Sequence, residues 1–193
     1  MNLKDASLIE IAALASKELE AAGIKAAVVG GSAVTAYVPD VYTSHDIDFA
    51  AINGASRREF GDAVAKIGFR ASGRDFVHPE VAYSLDLVAD TPFVDQRAIK
   101  DFTTLPTRFG TVRVLHFEDA IADRIAAFLH WADSQSLEVA ERAVQAHARR
   151  VSWNSLERAL DDLDASAPDG AARLALAKRR LRAAAKVGRS LPE

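Results

Sequence analysis

Apolar positions along this chain follow two periods, and the change falls near residue 116. Before it, short strand-like runs are interleaved with helical stripes; after it, every stripe has helical spacing. Leu8, Ile11, Ala12, Leu14, Ala15 and Leu19 share one helical face, which predicts a first helix from a cap at Asp5 or Ser7 to about Ala22, closed by Gly23. Ala26-Ala27-Val28-Val29 reads as a strand ending on Gly30-Gly31-Ser32. A short helix over 33–38, a turn at Pro39-Asp40 and a strand carrying Asp46-Ile47-Asp48-Phe49 follow. After a turn at Asn53-Gly54, Phe60, Val64 and Ile67 predict a second helix, capped by Ser56 and closed by Gly68. Strands are expected over 74–78 and 81–88, then an irregular stretch with one helical turn near 96–99. A hairpin or bent strand pair over 102–115 should turn at Arg108-Phe109-Gly110.

Four further stripes predict helices: Ile121, Ile125, Phe128 and Leu129; Leu137, Ala140 and Val144; Trp153, Leu156 and Leu160; Leu174, Ala177 and Leu181. Residues 165–170, with Pro168, separate the last two. The expected class is therefore α+β, with a sheet-bearing domain over 1–116 and a helical domain over 117–193.

Composition narrows this modestly. The 193 residues are 49% apolar and 7% aromatic, enough for an ordinary core. A net charge of −3 makes no global case for nucleic acid. From Ala171 onward, however, Arg173, Lys178, Arg179, Arg180, Arg182, Lys186 and Arg189 face only Glu193. That run reads either as a solvated face or as a surface for RNA or an acidic partner. Without cysteine there is no disulfide or thiolate site. No apolar run reaches ~18 residues and the N-terminus lacks a signal-peptide pattern, so a cytoplasmic protein is expected.

The chemistry concentrates between Ala26 and Ala50. Alternate strand residues share a face, so Asp46 and Asp48 lie side by side while Ile47 and Phe49 face a core. Two adjacent carboxylates call for a positive charge between them, and a divalent cation supplies it. Gly30 and Gly31 permit a tight corner and close approach of backbone N–H groups. The helix start that follows suits a phosphate, and Ser32 can cap that helix or donate its hydroxyl to a phosphate oxygen.

Val29-Gly30-Gly31-Ser32 followed by Asp46-Ile47-Asp48-Phe49 resembles the signature of the nucleotidyltransferase superfamily, typified by DNA polymerase β. A third carboxylate on a later strand is matched by Asp86 within Val81-Ala82-Tyr83-Ser84-Leu85-Asp86-Leu87-Val88. The run from Asp119 to Trp131, then Asp133, is similar more loosely to bacterial nucleotidyltransferase-like proteins of the AbiEii/MNT type, common in toxin–antitoxin systems. The resemblance implies a nucleotidyltransferase-like mixed sheet with flanking helices, followed by a helical bundle. It implies that Asp46, Asp48 and Asp86 hold Mg²⁺, with Mn²⁺ as a substitute, and carry the catalysis. Gly30, Gly31 and Ser32 would place the nucleoside triphosphate. Arg124 would reach a phosphate, with Asp133 orienting it, or the two form a surface ion pair. One departure concerns an Arg-x-Thr-x-Asp-x-Asp run of relatives, in which this chain has Tyr42 and Ser44.

Three functions compete. The first is an Mg-dependent enzyme moving a nucleoside monophosphate from an NTP to a hydroxyl on RNA such as tRNA, or on protein. The second is a catalytically silent module acting as an antitoxin or binding a cognate toxin or other partner. The third is a small-molecule (antibiotic) nucleotidyltransferase, which needs an acidic pocket for a cationic acceptor.

Overall fold

The computed structural model describes residues 3–191. Helix α1 (Leu8–Ala21) packs its predicted stripe inward and starts at Ser7, whose backbone N–H donates to the Glu10 carboxylate at 2.9 Å. Strand β1 (Ala26–Val28) leads into α2 (Gly30–Tyr37), and β2 (Asp46–Ala51) follows. Next come α3 (Arg57–Val64), prolonged by a 3₁₀ turn (Ala65–Ile67), and the short strands β3 (Arg70–Ser72) and β4 (Asp75–Val77). Strand β5 (Ser84–Ala89) bears Asp86; β6 (Phe93–Val94) and β7 (Arg97–Ala98) form a small separate hairpin. The hairpin β8 (Thr103–Thr107) and β9 (Gly110–Val114) ends the sheet-bearing half.

The seven-stranded mixed sheet has the order β3-β4-β5-β2-β1-β9-β8. Strand β2 runs antiparallel to β1 and parallel to β5, while β1 is parallel to β9. The strands that carry the acids are thus interior to the sheet. Ile47, Phe49 and Leu85 are fully buried beneath them, and Phe49 packs on Phe60 of α3 at a ring separation of 5.6 Å. Burying such side chains stabilises by about 1.5–3 kcal/mol each and fixes which face of β2 looks outward.

Helices α4 (Phe117–Trp131), α5 (Ser134–Ala146), α6 (Trp153–Asp161) and α7 (Gly170–Ser190) complete the chain, as the four stripes predict. One hydrophobic core runs through both halves. At their junction Tyr37 meets the Phe117 ring edge-on at 5.5 Å, and its hydroxyl donates to the Leu115 carbonyl at 2.8 Å. His147 lies 4.4 Å from Phe117, and burial pushes its pKa down.

Three local expectations need correction, and a fourth gains an unforeseen partner. Helix α2 begins at Gly30, not at residue 33, because Gly30 takes φ +61° and lets the chain coil at once. The expected strand over 74–78 is present as β4, and what the pattern does not foresee is its partner β3, joined to it by a turn at Gly73 with φ +58°. Strand β5 begins at Ser84 rather than Val81, since its start is set by pairing with Asp46. The expected helical turn near 96–99 is the β6–β7 hairpin, whose side chains are claimed by the helical half. Asp95 meets His130 Nε2 at 3.1 Å and accepts from the Asp164 amide, Gln96 donates to Asp164, and Arg97 bridges Asp119 and Asp162.

Candidate active site

In the parallel β2–β5 pair, Asp48 stands opposite Asp86 and Asp46 opposite Ser84. Facing residues in register project to the same side of a sheet, so the three acids share one face. Asp46 is exposed, and its Oδ1 accepts a hydrogen bond from the Ser44 hydroxyl at 2.7 Å. The Ser44 amide in turn donates to Thr35 Oγ1 at 3.0 Å, tying the approach to β2 onto α2.

The glycine corner touches Asp48 directly. A Cβ on Gly30 would collide with the Asp48 carboxylate, so glycine is required there by space as well as by φ. A Cβ on Gly31 would lie 3.0 Å from the Tyr42 hydroxyl, which places that ring against the corner. The hydroxyl of Ser32 neither caps α2 nor faces outward. It is fully buried, donates to the Val29 carbonyl at 2.7 Å and accepts from the Asp48 amide at 3.1 Å.

Electrostatics separate the three acids. Asp48 has no side-chain hydrogen bond or ion pair among the described residues. Burial, then the neighbouring Asp46 charge, raises its pKa to about 7, with Asp86 and Asp123 adding to the effect and Arg124 opposing it. Asp86 is in the opposite condition. Its side chain is 6% exposed, and the carboxylate is held by Arg74 Nε at 3.1 Å and Arg57 Nη1 at 3.5 Å.

Arg124, on α4, looks toward this face. Burial lowers its pKa, but Asp123, which accepts from Arg124 Nη2 at 2.6 Å, more than offsets this and the net direction is upward. Its Nε is buried and has no hydrogen-bond partner among the described residues. Asp133 is spent elsewhere: it caps α5, accepting from the Gln135 and Ser136 amides and from the Ser136 hydroxyl, which keeps its pKa low. Arg124 contributes to that lowering only as a smaller, through-space effect.

The donor set suits a hard divalent cation in part. Asp46 and Asp48 offer carboxylate oxygens side by side, and the strain on Asp48 is of the kind a cation relieves. Among the described residues no three His, Cys, Asp or Glu side chains form a ready metal group, which agrees with Asp86 being engaged by arginines. Tyr42 and Ser44 fall in the motif run that precedes Asp46, whereas Arg57, Arg74 and Asp123 join the site without any periodic sequence signal. For Arg74, Gly73 marks a turn beside it. His45 is exposed, and His78 packs on Phe69 at 5.3 Å.

No protein-family model matches the chain, and no curated protein sequence matches it. Among solved structures, it is similar to an antigenic nucleotidyltransferase-like protein from Paracoccidioides brasiliensis, with a TM-score of 0.54 at 13% identity over 89% of this chain and 93% of that one. It is also similar to ANT(2'')-Ia, solved in complex with adenylyl-2''-tobramycin, with a TM-score of 0.41 at 18% identity over 86% of this chain and 94% of that one. The first of these similarities shows the fold: a nucleotidyltransferase-like mixed sheet with flanking helices and a C-terminal helical bundle.

Proposed function

We propose that the chain is a nucleotidyltransferase that moves a nucleoside monophosphate from a nucleoside triphosphate to a hydroxyl acceptor. The observation that carries this reading is Asp48, a carboxylate strained by burial and by Asp46, seated on the Gly30 corner at the start of α2. Asp46 and Asp48 would hold Mg²⁺ or Mn²⁺, and the ion would neutralise charge on the polyphosphate. The α2 N-terminus offers backbone N–H groups to a phosphate, and Arg124 supplies a nearby cation. Ser44 keeps the Asp46 carboxylate oriented, while Ser32 holds Asp48 to the corner.

The basic C-terminal run gives little support to RNA as the acceptor. Arg173, Lys178, Arg180, Arg182 and Arg189 are already bonded within the chain, to the Leu129 carbonyl, Asp161, Glu141, Glu157 and the Ala148 carbonyl respectively. RNA, protein and a small molecule therefore all stay in the assay. A second reading, a silent partner-binding module of a toxin–antitoxin system, draws support from Asp86 being ion-paired rather than open to a cation.

The test is thermal unfolding with Mg²⁺ or Mn²⁺ and each NTP in turn. A cation-dependent rise in midpoint, following RT ln(1 + [L]/Kd) and lost in Asp46→Ala, is expected. Labelled NTP incubated with cellular RNA, protein and aminoglycosides then identifies the acceptor. No shift with any NTP would transfer the assignment to the silent module.

A further inference from the structure

Resting on that reading, the surroundings of Asp86 carry an inference of their own. The two arginines on this buried carboxylate are held very differently. Arg57, at the start of α3, is locked: its guanidinium stacks on Phe76 at 4.3 Å, and Nη2 donates to the carbonyls of Gly73 and Asp75 at 3.2 and 3.5 Å. Those carbonyls flank Arg74, so Arg57 fixes the hairpin turn that presents it. The Arg74 side chain is 83% exposed, and Asp86 is the one described hydrogen-bond or ion-pair partner of its guanidinium. A long, solvated side chain anchored at a single point is displaced easily.

A divalent cation arriving at Asp46 and Asp48 would enter the face that Asp86 shares, where two guanidinium groups already neutralise that acid. Like charges so close repel, and the weakly held one moves. The strongest anion within its reach would then be the polyphosphate that arrives with the cation, and planar guanidinium suits phosphate oxygens. We propose that Arg74 is a substrate-released cover: it screens Asp86 in the free protein and passes to the polyphosphate of a bound nucleoside triphosphate, uncovering Asp86 on the cation's side. Arg57 is the positioning residue that stays behind.

The exchange can be read without turnover. Calorimetric titration with inorganic tripolyphosphate in EDTA should show Asp86→Asn binding about tenfold tighter than the unaltered chain, because Arg74 is set free, a gain of the size expected for one partly exposed charge pair. Adding Arg74→Gln to Asp86→Asn should cancel that gain. Arg74→Gln alone, a change at an exposed side chain that the fold tolerates, should bind Mn²⁺ alone several-fold more tightly, judged by the same charge argument. Equal tripolyphosphate affinity in Asp86→Asn and the unaltered chain, or unchanged Mn²⁺ affinity in Arg74→Gln, overturns the cover. The unaltered chain titrated with Mn²⁺ and NTP separates the two levels. Binding there with no gain in Asp86→Asn removes the cover and leaves the proposed function standing, whereas no binding removes both.

Discussion

The outward face of β2 and β5 and the surface of α7 are both rich in charge, and they treat it in opposite ways. On α7, Lys178, Arg180 and Arg182 each meet a carboxylate of a neighbouring helix, so a run that looks like a binding surface is a set of internal clamps. On the sheet, Asp46 and Asp48 stand together with no cation among the described residues bonded to either. The contrast teaches that charge density alone says little about ligands. An imbalance maintained at the expense of stability points to one.

The sharpest way to break the comparison is Asp46→Ala. On the proposed function, transfer activity should fall by on the order of 10²–10³-fold, the scale of losing one preorganised charge-stabilising group, as measured by release of pyrophosphate. Gly30→Ala should follow. It forces a Cβ into the Asp48 carboxylate at a φ of +61°, and chemical denaturation should show a loss of about 2–3 kcal/mol.

Asp48→Asn should act in the opposite direction. The folded-state pKa of about 7 lies above the carboxylate's ordinary 3.8, so the native protein binds the extra proton and stability declines as pH rises between those values. The variant should therefore be more stable than the unaltered chain at pH 8, by on the order of 2 kcal/mol, with the difference vanishing near pH 4. Equal melting curves at pH 8 would show that Asp48 is not strained. Smallest of all, Arg182→Ala on α7 should change stability by less than about 0.5 kcal/mol, since its pair with Glu157 is exposed, and should leave nucleotide binding untouched.

Where the sequence is read correctly, the signal is local and periodic. Ile47 and Phe49 alternate with Asp46 and Asp48, so the facing of all four follows from a period of two. The four C-terminal helices follow from apolar stripes in the same way. What escapes is decided by partners far along the chain. Arg57 and Arg74 approach Asp86 from another helix and another hairpin, and no spacing announces that. The β6–β7 hairpin is shaped by His130, Asp119, Asp162 and Asp164, which propensity in residues 90–100 cannot foresee. Ser32 looks like a phosphate ligand because its neighbours are glycines, yet its hydroxyl is enclosed.

That enclosed hydroxyl has a mechanical consequence. The Val29 amide donates to the Asp48 carbonyl at 2.9 Å while the Asp48 amide donates to Ser32, so the turn holds the acid by both of its backbone polar groups. A molecule that nudges the corner must drag the carboxylate with it, and one that pulls on the carboxylate must tilt the corner. Whatever occupies this place meets a single stiff part, not two that adjust separately.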